Sequence, residues 1–123
     1  MARNPVGWFE IYVQDMDRAT AFYQKVLGIA LDKLPGVDFP MLAFPMNAET
    51  YGSSGALVKA EGVPSGGNST LVYFECDDCA KEEARIEPAG GKVVRGKFSI
   101  GQYGHCALAH DTEGNLFGLH SMK

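Results

Sequence analysis

The same order of local signals occurs twice in this chain, 63 residues apart, and this repeat constrains the fold more than any other feature. In the first copy Phe9, Ile11 and Val13 alternate with Trp8, Glu10 and Tyr12. That period of two marks a strand with unlike faces. Asp15 follows at an N-cap position, where its carboxylate can accept from free backbone N–H groups. Met16, Ala19, Phe22, Tyr23 and Val26 then recur at helical spacing, and Gly28 suits the position just past a helix. In the second copy Leu71, Tyr73 and Glu75 alternate with Val72, Phe74 and Cys76; Asp78 takes the cap and Gly90-Gly91 ends the helical stretch. The offset lays Trp8 over Leu71, Glu10 over Tyr73, Tyr12 over Glu75 and Gly28 over Gly91. Identity between the halves is poor, so the repeat is one of pattern.

A hairpin pattern follows each helix, over about 38–60 in the first half and over 92–99 and 103–121 in the second. Gly114 in the turn 111–115 is free to take a positive φ between the last two strands. Each half therefore reads β-α-β-β-β, an α+β fold in one domain: module one over about 6–60, a Gly/Ser/Pro-rich linker over 61–69, and module two over about 70–121. One helix covers one face of its sheet, and the apolar alternation (Phe9, Ile11, Val13; Val72, Phe74, Cys76; Phe117, Leu119) assigns that face. Trp8, Glu10, Tyr12, Leu71, Tyr73, Glu75, Leu116, Gly118 and His120 are left for the other face. Glu10 is thereby predicted to look into a concavity shared by both halves and lined with aromatic and ionisable groups.

Composition closes off several function classes. With 46% hydrophobic and 21% charged residues the chain can build a core. A net charge of −4 with eleven scattered basic residues argues against nucleic-acid binding. The apolar runs are too short for a membrane span, and the N-terminus carries no secretory pattern. Three cysteines cannot all pair, so the expectation is a reduced, cytoplasmic protein, and the sequon at Asn68 is read as a turn.

The paired modules, with FEIYVQDMDRATAFYQKVLG at one end and HDTEGNLFGLHS at the other, resemble the vicinal oxygen chelate superfamily, which includes glyoxalase I, bleomycin-resistance proteins and extradiol dioxygenases. The resemblance covers nearly the whole chain. It implies a curved, cup-shaped mixed sheet with helices on the outer face, a small-molecule site in the cup, and a homodimer. Metal enzymes of this superfamily hold their ion on the cup-facing side of the first and last strand of each module. Carried over by position, those places fall on Trp8, Gly55, Leu71 and Gly118, and none has a side chain that ligates a divalent cation. The expectation is therefore no metal and no other cofactor.

Glu10 and His120 are the candidate catalytic pair, since a carboxylate in an aromatic setting and an imidazole can share proton transfer. Trp8, Tyr12, Leu71, Tyr73, Glu75 and Gly118 are the candidate ligand-binding residues, with the rings as a stacking surface for a flat or cationic guest. Ordinary packing and hydrogen bonding across a wet cavity explain the same residues. Three functions are open: a metal-independent isomerase or lyase, a non-catalytic protein that sequesters a drug or metabolite, and a metal enzyme with Glu10 and His120 as substitute ligands. Cys76-Asp77-Asp78-Cys79 matches C-x-x-C, but a zinc site needs a second pair and only Cys106 remains, with His105 and His110 near it. The neighbouring aspartates are expected to raise the thiol pKa and the helix N-terminus to lower it. His105 and His110 have opposite parity and cannot share a face.

Overall fold

The computed structural model describes residues 3–66 and 70–123, so the sequon at Asn68 lies outside the described residues. The chain divides into two compact units, Phe9–Thr70 and Met1–Trp8 with Leu71–Lys123. Strand β1 (Val6–Tyr12) begins in the latter and continues into the former, so the boundary falls inside the strand rather than only at the Gly-rich linker. No helix among the described residues is long and apolar enough to cross a membrane.

The Phe9–Thr70 unit contains α1 (Met16–Leu27), β2 (Met41–Ala43) and β3 (Ser54–Val58), with strand order β2-β3-β1. Asp15 caps α1 by accepting from the Arg18 amide at 3.0 Å, and Gly28 closes it in the left-handed conformation with its N–H on Gln24. Of the three strands expected after α1, two form, β2 and β3, and Asp32 adds only a single bridge to Ala43. Pro35-Gly36 turns the chain there, and Pro40 has no N–H for a ladder, so no longer pairing forms. The Tyr23 ring meets Phe44 edge-on, and Phe44 in turn packs on Phe9. Leu57 is fully buried.

The second unit is a complete β-α-β-β-β: β4 (Thr70–Glu75), α2 (Cys79–Ile86), β5 (Lys92–Ser99), β6 (His105–His110) and β7 (Leu116–Ser121), in the order β4-β7-β6-β5. Strands β4 and β7 run parallel, and β6 is antiparallel to both its neighbours. Asp78 caps α2 through the Ala80 amide. The helix stops at Ile86, four residues before the expected glycines, because Pro88 supplies no amide to continue it; Gly91 N–H closes the end on the Ile86 carbonyl. Cys79, Ala107 and Leu119 form the core under α2, packed by Phe74, Cys76, Ile86 and Phe117. The apolar alternation expected for this half is therefore the helix-covered face. In the last turn Asp111 accepts from the Glu113 and Asn115 amides, and Gly114 takes φ 83°.

Candidate functional site

The uncovered face of the second unit is laid out by strand register. Tyr73, Gly118, Leu108 and Arg95 form one row across β4, β7, β6 and β5, and Glu75, His120, Cys106 and Phe98 form the next. In the second row the Glu75 Oε1 and His120 Nδ1 atoms lie 2.8 Å apart, and His120 Nε2 lies 2.6 Å from the Tyr103 carbonyl. Tyr103 ends the short 3-10 turn Gly101–Tyr103 that joins β5 to β6, so the connection aims a backbone acceptor at the ring. A carbonyl can only accept, so Nε2 carries a hydrogen and donates. Nδ1 is left facing the Glu75 carboxylate. Both side chains are about one-fifth exposed, enough for a ligand to reach them. Glu75 Oε2 has no hydrogen-bond donor among the described residues.

Six of the eight predicted site residues belong to this unit, but their roles differ from the expectation. Tyr73 is 9% exposed and Leu71 5%, so they are floor rather than an open stacking surface. The Tyr73 ring lies across Gly118, where a Cβ would stand 2.3 Å from the ring edge; the glycine is there because an aromatic ring occupies its side-chain space. Trp8 is corrected. A Cβ on Gly7 would stand 2.9 Å from Glu75 Oε1, so Gly7 faces the carboxylate and strand alternation carries Trp8 to the other side. Glu10 and Tyr12 lie in the other unit, where the Tyr12 hydroxyl donates to Glu10 Oε1 at 2.7 Å. Burial first, then the charge and hydrogen bond of Glu10, push the Tyr12 phenol above its usual range. His120 takes Glu75 and Tyr103 as its partners, where the expectation paired its chemistry with Glu10.

Gly55 is also corrected, by one residue. Cys76 N–H donates to the His120 carbonyl, and Val13 N–H donates to the Val58 carbonyl. Cys76 and Val13 correspond under the 63-residue offset, so Val58 matches His120 and Ala56 matches Gly118. Gly55 instead faces the Phe9 ring, 2.7 Å from where its Cβ would be. With Trp8 turned to the other side, the carried-over positions that remain are Leu71 and Gly118 in this unit and Ala56 in the other. They do not fit a divalent cation: none carries a donor, and the Tyr73 ring fills the space at Gly118. Among the described residues no group of three or more His, Cys, Asp or Glu is gathered to hold a metal.

The C-x-x-C pair belongs to the helix-covered core. Burial, followed by the charge of Glu82, pushes the Cys76 thiol up to about 11; Asp77 and Asp78 are not its causes. Asp78 is engaged instead as helix cap and as partner of Lys97 Nζ at 2.9 Å. At pH 8 Cys76 should therefore alkylate about 100-fold more slowly than an ordinary thiol, since only the thiolate reacts. Peptide mapping after maleimide labelling checks this, and Glu82→Gln should speed the reaction. His105 pairs with Ser121 in register on the α2 side, and His110 is opposite in parity as expected. A shallow hollow lined by Met16, Lys33, Asp38, Phe39, Pro40, Met41 and Leu42 lies in the other unit and contains none of the predicted site residues.

Sequence reasoning missed Gly7, the Tyr103 carbonyl, Cys106, Arg95 and Phe98. A glycine inside a strand pattern, as at Gly7 and Gly96, is the available signal for a close approach or a bulge. The Tyr103 carbonyl has no signal, since any residue supplies one.

Comparisons with known proteins agree on the fold. A family model described as the Glyoxalase/Bleomycin resistance protein/Dioxygenase superfamily matches residues 6–119. A curated relative, "Putative glyoxylase CFP32" of Mycobacterium tuberculosis, is 30% identical over 115 residues; these are 91% of this chain, which spans 42% of the relative's length. Among solved structures, a methylmalonyl-CoA epimerase of Streptomyces coelicolor in complex with 2-nitronate-propionyl-CoA aligns over 98% of both chains, with TM-score 0.68 and 19% identity. A hypothetical protein of Bacillus halodurans aligns over 96% of this chain and 94% of its own, with TM-score 0.69 and 13% identity.

Proposed function

Because this chain belongs to the glyoxalase/bleomycin resistance protein/dioxygenase superfamily, we propose that it binds a small polar molecule on the uncovered face of β4, β7, β6 and β5. The Glu75–His120 pair is its anchor. The observation that carries this reading is the fixed chain from Glu75 through His120 to the Tyr103 carbonyl. Both nitrogens of the imidazole are held, so the carboxylate is oriented before a ligand arrives, and ordering it costs little at the moment of binding. Its free Oε2 suits a ligand hydroxyl, amide or ammonium.

Sequestration without chemistry is the simplest form of this function. A second reading, metal-independent proton transfer as in an isomerase or lyase, is favoured by the same free Oε2. Glu75 would then be the base and His120 the residue that positions it, because His120 has no free nitrogen to offer. A metal-dependent lyase or dioxygenase draws no support from Trp8, Ala56, Leu71 and Gly118. The epimerase complexes with acyl-CoA compounds make such thioesters natural first candidates as ligands. Calorimetric titration with methylmalonyl-CoA, small amines and hydroxy acids tests the proposal. At least one should bind, and Glu75→Gln should weaken it about tenfold, the loss of one charge-assisted hydrogen bond. No binder in the set, or an unchanged affinity in Glu75→Gln, would overturn it. Deuterium uptake from solvent by a bound ligand would mark the catalytic form.

Three cysteines that form no disulfide among the described residues suit a reducing compartment, so the cytoplasm belongs to the same proposal. So does the homodimer. Phe22, Val26 and Leu27 on α1 are 58%, 61% and 54% exposed, an apolar stripe that a second copy would cover. Light scattering should give twice the 13.3 kDa chain mass; a stable monomer at micromolar concentration would refute it.

A further inference from the structure

The proposed ligand face also carries a cation that the Glu75–His120 pair does not use. We infer that the ligand of this face bears an anionic oxygen group, a carboxylate or a phosphate, and that Arg95 receives it. This rests on the binding reading above and adds the ligand's second pole.

Two shifts of register in β5 place the residue. Between Phe98, opposite Cys106, and Arg95, opposite Leu108, β5 spends three residues where β6 spends two. The extra residue is a bulge, a device that re-aims side chains. It is pinned from the α2 side: Lys97 N–H donates to Glu83 Oε1 at 2.7 Å, Lys97 Nζ lies 2.9 Å from Asp78, and Gly96 faces the Glu83 carboxylate. Gly96 and Lys97 therefore take the α2 side, and Arg95 and Phe98 both emerge on the other. The Arg95 guanidinium carbon stands 3.6 Å over the Phe98 ring, which holds the planar group without using its donors.

No carboxylate lies within ion-pairing distance of Arg95 among the described residues, in a chain with fifteen acidic residues against eleven basic ones. The acids that reach β5 are committed elsewhere: Asp78 to Lys97 Nζ, Glu83 to the Lys97 amide and Glu87 to the Val93 amide. A stacked, unpaired guanidinium presents its fork to a planar or tetrahedral oxyanion, which it binds in bidentate fashion. Arg95 and Glu75 lie on the outer strands of the same four, about 14 Å apart at ordinary strand spacing. The ligand class that spans them has an anionic oxygen group at one end and a hydrogen-bond donor or cation toward the other.

The test is a backbone-amide NMR titration of the labelled full chain with succinate, neutral succinamide and inorganic phosphate as separate probes. Succinate or phosphate should shift the Arg95–Phe98 and Leu108 amides in a saturable way, and succinamide should not. Arg95→Gln should weaken that binding at least tenfold, and Arg95→Lys, which keeps the charge but not the fork, should weaken it less. Saturation by succinate alone assigns a carboxylate, by phosphate alone a phosphate, and by both a general oxyanion site. If neither anion shifts these amides, or if they do so equally in Arg95→Gln, the inference is overturned. The Glu75→Gln calorimetry stands or falls separately, so the two failures are distinguishable.

Discussion

Leu57→Ala should lower the stability of this chain by about 2–5 kcal/mol, the range for truncating a leucine in a core that cannot collapse. Leu57 is 0% exposed and shares its side of β3 with Gly55, the side that packs on Phe9. Ala56 and Val58, at 0% and 4%, bury the other side, so neither side of β3 gives access to water at these positions. Phe9→Ala should cost less than the full loss of a buried ring, because Phe9 is only half-buried. Glu10→Gln, one residue on, should leave stability nearly unchanged, since the amide oxygen still accepts from Tyr12. Urea unfolding of the three variants ranks them. A loss below about 1 kcal/mol in Leu57→Ala would mean that the site relaxes around the cavity.

Gly118→Val should be the second severe change. Its Cβ would stand 2.3 Å from one Tyr73 ring carbon and 2.4 Å from the next, distances that packed atoms do not sustain. The ring must leave, or β4 and β7 must part, where they pair at this very register. Overpacking of this kind costs about 1–3 kcal/mol, and here it falls in the row beside Glu75 and His120. Tyr73→Ala in the same chain removes the obstacle. The double variant should therefore recover about 0.5–3 kcal/mol relative to the sum of the single ones. Strictly additive losses in a double-mutant cycle would show that the ring does not occupy the space above Gly118.

The same contact explains a limit on redesign. Placing a carboxylate at Gly118 to restore the family's ligand position would meet the Tyr73 ring before it met a cation.

Local order was legible in the residues. Asp15 and Asp78 cap their helices as the pattern required, because a carboxylate beside free N–H groups is a local arrangement. Phe74, Cys76, Phe117 and Leu119 face α2 because alternation in a strand is fixed by covalent geometry. The family, read from the two end motifs, follows from the same local signals. Register was not legible. A slip of one residue turns a side chain to the other face, which is why Ala56 rather than Gly55 matches Gly118 and why Trp8 leaves the face of Glu75. The pairing of β4 with β7 sets Glu75 beside His120 across 45 residues of chain, and the bulge in β5 brings Arg95 onto the same face. Sequence fixes which faces exist, through propensity and period; which residues meet on a face is decided by strand pairing between distant segments, and only the tertiary structure holds that information.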